Sequence, residues 1–427
     1  MTTTTSDPTT DEPVRFNPFA PGFVEDPYAQ YARLRDDDPV HRSGLLHGWV
    51  VTRFDDVGKL LRDPSISSDV RKATPTPVTE IELSHLEGRS RGQQTVVLLD
   101  DPDHARVRKL MADPFKPRQI EALRQMIVDR VHEALDRLHD AHAGGSGRAE
   151  IDLIADFAYP LPVEIISEML GIPGEDHPQF RYWTQCVARA VDPILSPDEQ
   201  AECLAGLDEM YSYLEAVADE KRAHPDDGLV STLVHAIEDG EVLTRDEVMS
   251  QLVTLYMAGH EPTASLIGAG MYALVRQPDQ LARLRADRGQ LRNAVSELLR
   301  FDGPNQFVRR ITTQPTTVGD VELPAGEVIF ASPASANRDP RRWGRTPTGS
   351  SSIAPMPAST CSSVPDRTPA WARTWHACRP RSPSTPCSTG CTTSSWRARR
   401  AGTPACSSAA WTPCRSPVPS APADGEC

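Results

Sequence analysis

Across its 427 residues the sequence holds no apolar run long and clean enough to span a bilayer, so no membrane association is expected. The opening MTTTTSDPTTDE has no apolar stretch either. No secretory signal is expected there, and residues 1–13 read as a loose tail. Basic excess is missing too. The formal charge is -14, and a nucleic-acid partner needs a basic face. Cysteine is scarce before residue 344, where only Cys186 and Cys203 occur. Two isolated thiols exclude a disulfide framework and suit a reduced, cytoplasmic protein.

Residues 345–427 lack much more. They contain no Leu, Phe, Tyr, Asn, Gln or Lys. In their place stand 13 prolines, nine arginines and seven cysteines, with only Asp366, Asp424 and Glu426 as acids. That segment carries +6; removing it from -14 leaves -20 for residues 1–344. Without Leu or Phe it has little to bury, and its prolines break helices and strands alike. An odd cysteine count argues against a disulfide module. The absence of paired C-x-x-C motifs argues against zinc. A Pro/Ser linker fits the composition, though a linker normally leads somewhere.

Residues 14–344 are of another kind. "DPYAQYARLRDDDP" places Asp26 as N-cap and Pro27 at the first helical position. "GWVVTRF" reads as a strand, and "RQIEALRQMIVDRVHEALDRLHDAH" has helical apolar spacing. "TTVGDVELPAGEVIFASP" alternates and turns, predicting a hairpin. The fold class is therefore mainly α with a small β region. The longest helix should begin at the capping box of Thr244 and Glu247 and stop before Pro278. Its centre, "AGHEPT", sets Gly259, His260, Glu261 and Pro262 in an apolar helix. Pro262 cannot donate to the Ala258 carbonyl. A kinked core helix is one reading. A groove where a ligand reaches the backbone beside a carboxylate is the other, and the kink, the glycine and the acid together favour it.

Two further pairs share helical faces. Glu297 and Arg300 in "SELLRF" are three apart; taken alone they make an ordinary surface pair. His104 and Arg108 in "DDPDHARVRKLM" are four apart. They read alone as a solvated basic turn, or as a cradle for an anionic ligand.

In this order the pieces resemble a cytochrome P450, a soluble bacterial haem-thiolate monooxygenase, over about residues 14 to 344. The resemblance implies that His104 and Arg108 hold one haem propionate and that Arg310 of "FVRRITT" serves another. It implies that Ala258 and Gly259 line the oxygen groove, with Glu261 as the acid. Glu297 and Arg300 become the E-x-x-R pair, completed by an arginine of "ANRDPRRW", Arg338 ahead of Arg341. The family often has Thr directly after the acid; here Pro262 stands there and Thr263 follows. Thr263, an ordered water or the substrate's own hydroxyl then completes the proton relay. The implied cofactor is haem b. The implied partners are a small hydrophobic substrate, a ferredoxin and a ferredoxin reductase. Residues 67–94 and 183–213 are candidates for a mobile roof over the substrate.

The family's axial cysteine lies in F-x-x-G-x-[HR]-x-C-x-G, which this frame never shows. Hidden codons can be built from the last base of each visible codon and the first two of the next. Under residues 345–350 they permit D-A-D-R-F, and under 362–372 F-G-P-G-P-H-A-C-L-G, with its cysteine across Pro369 and Ala370. Trp371 followed by Ala372 forces the final glycine. Residues 384–392 permit D-A-L-L-D-R-L-H, an amphipathic pattern. A frame shift near Gly344 explains the abrupt change in composition. Cys378, in "TWHACRPR", lacks the upstream Phe and Gly and has Pro380 at the final glycine position, so it is not the expected ligand. Two rivals stand beside the enzyme. One is a P450-like helper without catalysis that activates a glycosyltransferase. The other is a binding module whose Pro/Ser tail is dispensable.

Overall fold

The computed structural model describes residues 15–344 apart from 78, 81–82, 84–94, 143–149, 190–195, 227 and 239. The expectations for 1–13, 345–427 and most of 81–94 lie outside the described residues. Helices dominate, as the apolar periodicity predicts. In chain order they are α1 (Tyr28–Asp37), α2 (Phe54–Leu60), α3 (Asp103–Leu110), α4 (Pro117–Ala122), α5 (Arg124–His142), α6 (Pro160–Met169) and α7 (His177–Arg189). There follow α8 (Pro197–Ala223), α9 (Leu229–Val234), α10 (Arg245–Val275), α11 (Pro278–Ala286), α12 (Leu291–Phe301), α13 (Pro333–Ala336) and α14 (Pro340–Trp343).

The start of α1 falls one residue later than expected. Pro27 is its N-cap, but the Asp26 carboxylate still accepts the Tyr28 N–H at 3.1 Å. The long periodic stretch after residue 117 is split at Leu123 into α4 and α5. The capping box of α10 forms as predicted. The Thr244 N–H donates to Glu247 at 2.8 Å, and the Glu247 N–H donates to Thr244 Oγ1 at 3.2 Å. The helix then runs through Pro262 to Val275.

Strands β1 (Val40–Ser43), β2 (Gly48–Val51) and β3 (Ile66–Ser67) come early; β4 (Ile237–Glu238) and β5 (Glu241–Val242) make a small hairpin before α10. Strands β6 (Val308–Thr312), β7 (Thr316–Val318), β8 (Val321–Leu323) and β9 (Val328–Ala331) come late. One sheet has the order β1-β2-β9-β6-β3, with β2 and β9 parallel and Trp49 opposite Ile329. β7 and β8 form the expected hairpin, turning at Gly319, whose φ of +58° suits a residue without Cβ.

The largest core lies between α6, α7, α8 and α10. Phe180 packs edge-on against Trp183 and Tyr213, with Tyr256 tilted beneath it. Each such fully buried side chain contributes roughly 1.5–3 kcal/mol. A second core under the sheet joins Val51, Ile66 and Ile329, and an aromatic cluster of Phe16, Tyr31 and Phe307 covers its edge. Among the described residues no helix is long and apolar enough to cross a membrane.

Candidate active site

The middle of α10 is held against its neighbours by the residues that interrupt its apolar run. Gly259 is a point of close approach. A Cβ there would meet Ile166 of α6 at 2.9 Å, so the missing side chain lets the two helices touch. Gly268 does the same for Ile154, which opens the π-helical turn Ile154–Ala158. Ala258, Glu261, Pro262 and Thr263 are half-buried. The Thr263 hydroxyl turns back to the Gly259 carbonyl at a long 3.4 Å. Beside it, the Ala258 carbonyl loses its usual helical donor because Pro262 has no N–H. The Ala258 carbonyl is thus the one left without its helical donor at the sequence-predicted groove.

His260 is completely buried. Its Nδ1 lies 2.8 Å from the Tyr256 carbonyl, which fixes the proton on Nδ1. Tyr159 stands edge-on to the ring at 5.6 Å. Burial pushes the imidazole down to about 4, against the smaller pull of the Tyr256 carbonyl, so the ring is neutral at pH 7.

Sequence reasoning missed the surroundings of Glu261. Tyr159, at the end of the π-helical turn, bonds to Thr184 of α7 and feels the charges of both Arg181 and Glu261. Burial raises the Tyr159 hydroxyl above its ordinary range. The Arg181 guanidinium covers the Tyr159 ring at 5.1 Å. No spacing in the sequence links residues 159, 181 and 261. Only the packing of α7 on α10 brings them together.

The cationic residues come from two adjoining elements. His104 is buried in the first turn of α3, with Nδ1 3.3 Å from Asp101, and Arg108 is half-buried one turn later. Arg310 is buried on β6 and donates to the Arg309 carbonyl at 2.7 Å. Asp100 ties the two elements together. Its backbone carbonyl accepts the His104 N–H at 2.9 Å, and its carboxylate accepts the Ser67 hydroxyl, the Ser68 N–H and Lys72. Ser67 on β3 pairs with Ile311 on β6, next to Arg310. Burial would raise the Asp100 carboxyl, but its hydrogen bonds from Ser67, Ser68 and Lys72 hold it below the usual range. Arg309, on the other face of β6, is pushed down to about 10 by burial, offset in part by Asp69.

The Glu297–Arg300 pair is buried and bidentate on α12, at 2.5 and 2.8 Å. Arg300 also donates to the Asn337 carbonyl at 2.5 Å. Arg338 does not join this pair. Its Nε donates to the Phe301 carbonyl at 2.6 Å, and its guanidinium lies over the Tyr28 ring at 3.1 Å and the Phe301 ring at 3.9 Å. Arg341 turns instead to Asp36 and Asp339. The third place of the expected triad is therefore taken by a backbone carbonyl, because the aromatic wall of α1 draws Arg338 away.

A haem fits these residues in part. A buried histidine and two arginines on adjoining elements suit two propionates, and the loosened turn of α10 suits the opposite face. A thiolate ligand does not fit the described residues. The two cysteines among them, Cys186 and Cys203, face each other between α7 and α8.

Comparison with known proteins points to one family. The family model for cytochrome P450 matches residues 60–348. The cytochrome P450 monooxygenase PikC of Streptomyces venezuelae is 40% identical over 329 residues, 75% of this chain and 74% of PikC. The vitamin D(3) 25-hydroxylase of Pseudonocardia autotrophica is 35% identical over 325 residues, 75% of this chain and 76% of the hydroxylase. The solved structure of the bacillaene polyketide synthase cytochrome P450 PksS of Bacillus subtilis superposes with a TM-score of 0.73 at 30% identity, covering 84% of this chain and 89% of PksS. With its order of elements and these likenesses, the chain belongs to the cytochrome P450 family of monooxygenases.

Proposed function

We propose that the gene specifies a haem-dependent monooxygenase that inserts one oxygen atom into a C–H or C=C bond of a small hydrophobic molecule in secondary metabolism. In the printed frame it is inactive, because the axial cysteine loop is missing. When bound, haem b would supply an oxygen-activating iron held by a cysteine thiolate. His104, Arg108 and Arg310 hold the propionates. Glu261 and Thr263 hold and pass protons at the groove beside Ala258, with Tyr159 and Arg181 positioning the acid. Glu297 and Arg300 fasten α12 to the segment that leads toward the cysteine loop. The described parts of 67–94 and 183–213 form the substrate roof. Electrons come from a ferredoxin and its reductase in the cytoplasm. Relatives whose names mention polyketide biosynthesis, such as PksS, support the substrate class.

The observation that carries the proposal is the contrast between the two halves of α10. Val248, Met249, Leu252, Val253, Leu255 and Tyr256 are all buried. In the equally apolar second half Leu266, Ile267, Met271, Leu274 and Val275 are only half-buried, and Tyr272 is 43% exposed. Leu291 and Val295, one turn apart on neighbouring α12, are 49% and 41% exposed. A helix that is apolar all round belongs in an interior. We read these side chains as the surface on which a haem and the elements encoded after Gly344 would pack. The family match also ends four residues past Gly344. Resequencing the DNA between the codons for Trp343 and Arg345 tests the frame. A base gained or lost there supports a sequence error; a base count that keeps the printed frame overturns that version and leaves a mutant gene.

A further inference from the structure

Cys186 lies in the last turns of α7 and Cys203 in the second turn of α8, beside the connection between the two helices. Both are free and buried, and they form a cluster of their own. The approach is built into the backbone. Gly206, nearly one turn after Cys203, has no side chain where a Cβ would stand 2.8 Å from the Cys186 sulfur. The Tyr182 ring, one turn before Cys186, borders the same spot, 3.4 Å from where that Cβ would stand. Neither thiol has a part in the proposed oxidation chemistry.

We propose that Cys186 and Cys203 are an oxidisable dithiol whose disulfide staples α7 to α8. The oxidant is a hydroperoxide, hydrogen peroxide in the simplest case. The Cys186 thiolate attacks one peroxide oxygen; an S–O bond forms, the O–O bond breaks, and hydroxide leaves, taking up a proton as water. The Cys203 sulfur then attacks the Cys186 sulfenic sulfur. An S–S bond forms, the S–O bond breaks, and the departing hydroxide carries off the Cys203 proton as a second water. Two thiols and one peroxide thus become one disulfide and two waters, with the sulfurs oxidised and the peroxide oxygens reduced. Cys186 is the attacking sulfur. Burial raises both thiols, Cys203 up to about 11, so Cys186 is the one more readily ionised. Its effect on catalysis rests on the reading of 183–213 as roof: the staple would hold that roof in one position.

The test uses the full chain, folded, treated with hydrogen peroxide, alkylated, and digested with trypsin without reduction. The expected product is a cross-link between the peptides 182–189 and 190–221, lighter by two hydrogen atoms than their sum. In denaturant that product gives way to mixtures with the seven cysteines of 345–427. If the folded chain yields Cys186 linked to those cysteines, or both thiols recovered alkylated, the proposal fails. A cross-link that leaves substrate affinity unchanged in the frame-restored enzyme keeps the dithiol and removes the roof reading instead.

Discussion

His260 sits one residue from Glu261, the acid of the proposed groove, yet it is packed like a core residue. Its neutral ring is kept so by burial, with a pKa of about 4 against 6.5 in the unfolded chain. The direction of the consequence follows from that depression. Above pH 6.5 neither state binds the proton, and the full stability is present. As pH falls toward 4 the unfolded chain takes a proton that the folded chain refuses, and about 3 kcal/mol is lost. His260→Leu removes this linkage. Urea unfolding at pH 7 and pH 5 should show the variant losing about 2 kcal/mol less than the parent over that interval. Equal losses in both proteins would show that His260 is solvated.

Individual residues were unevenly legible. The capping box of Thr244 and Glu247 is local in sequence, so spacing alone located it, whereas spacing put Glu297 and Arg300 on one helix face without predicting that they would be buried. The position of Arg338 was misjudged because Tyr28, nearly the whole described chain away, competes for it with an aromatic face. Tyr159 and Arg181 gave no signal, since their meeting with Glu261 depends on how three elements pack.

Elements were easier to read than their contacts. The strands at "GWVVTRF" and the β7–β8 hairpin lie where alternation put them. The break at Leu123 was invisible to periodicity, because apolar spacing continues across it. Gly259 shows how an element carries two messages. Its place in "AGHEPT" suggests a ligand groove, while its missing side chain is what lets α10 rest on Ile166 of α6. Gly259→Leu should therefore destabilise the fold by about 1–3 kcal/mol through overpacking, measured by the urea midpoint. An unchanged midpoint would mean that α6 and α10 are not in contact there.

At the scale of the whole molecule, residues 15–344 supply a sheet, a buried helical core and a half-covered long helix. The first two are self-sufficient in burial. The third is not: Leu266, Ile267, Met271, Tyr272 and the outer face of α12 present more apolar surface than a finished core would leave. Composition alone marked the same boundary, since burial cannot be built from Ser, Pro and Arg. The account's central claim is that the architecture for holding haem is encoded up to Gly344 and that only the thiolate-bearing end is out of frame. An absorption spectrum with carbon monoxide after reduction tests it, taken on haem-supplied protein from the printed gene and from a gene with the frame restored. The restored protein should give the thiolate-type band and the printed one should not. A thiolate-type band from the printed chain, or no bound haem in the restored one, would contradict the account.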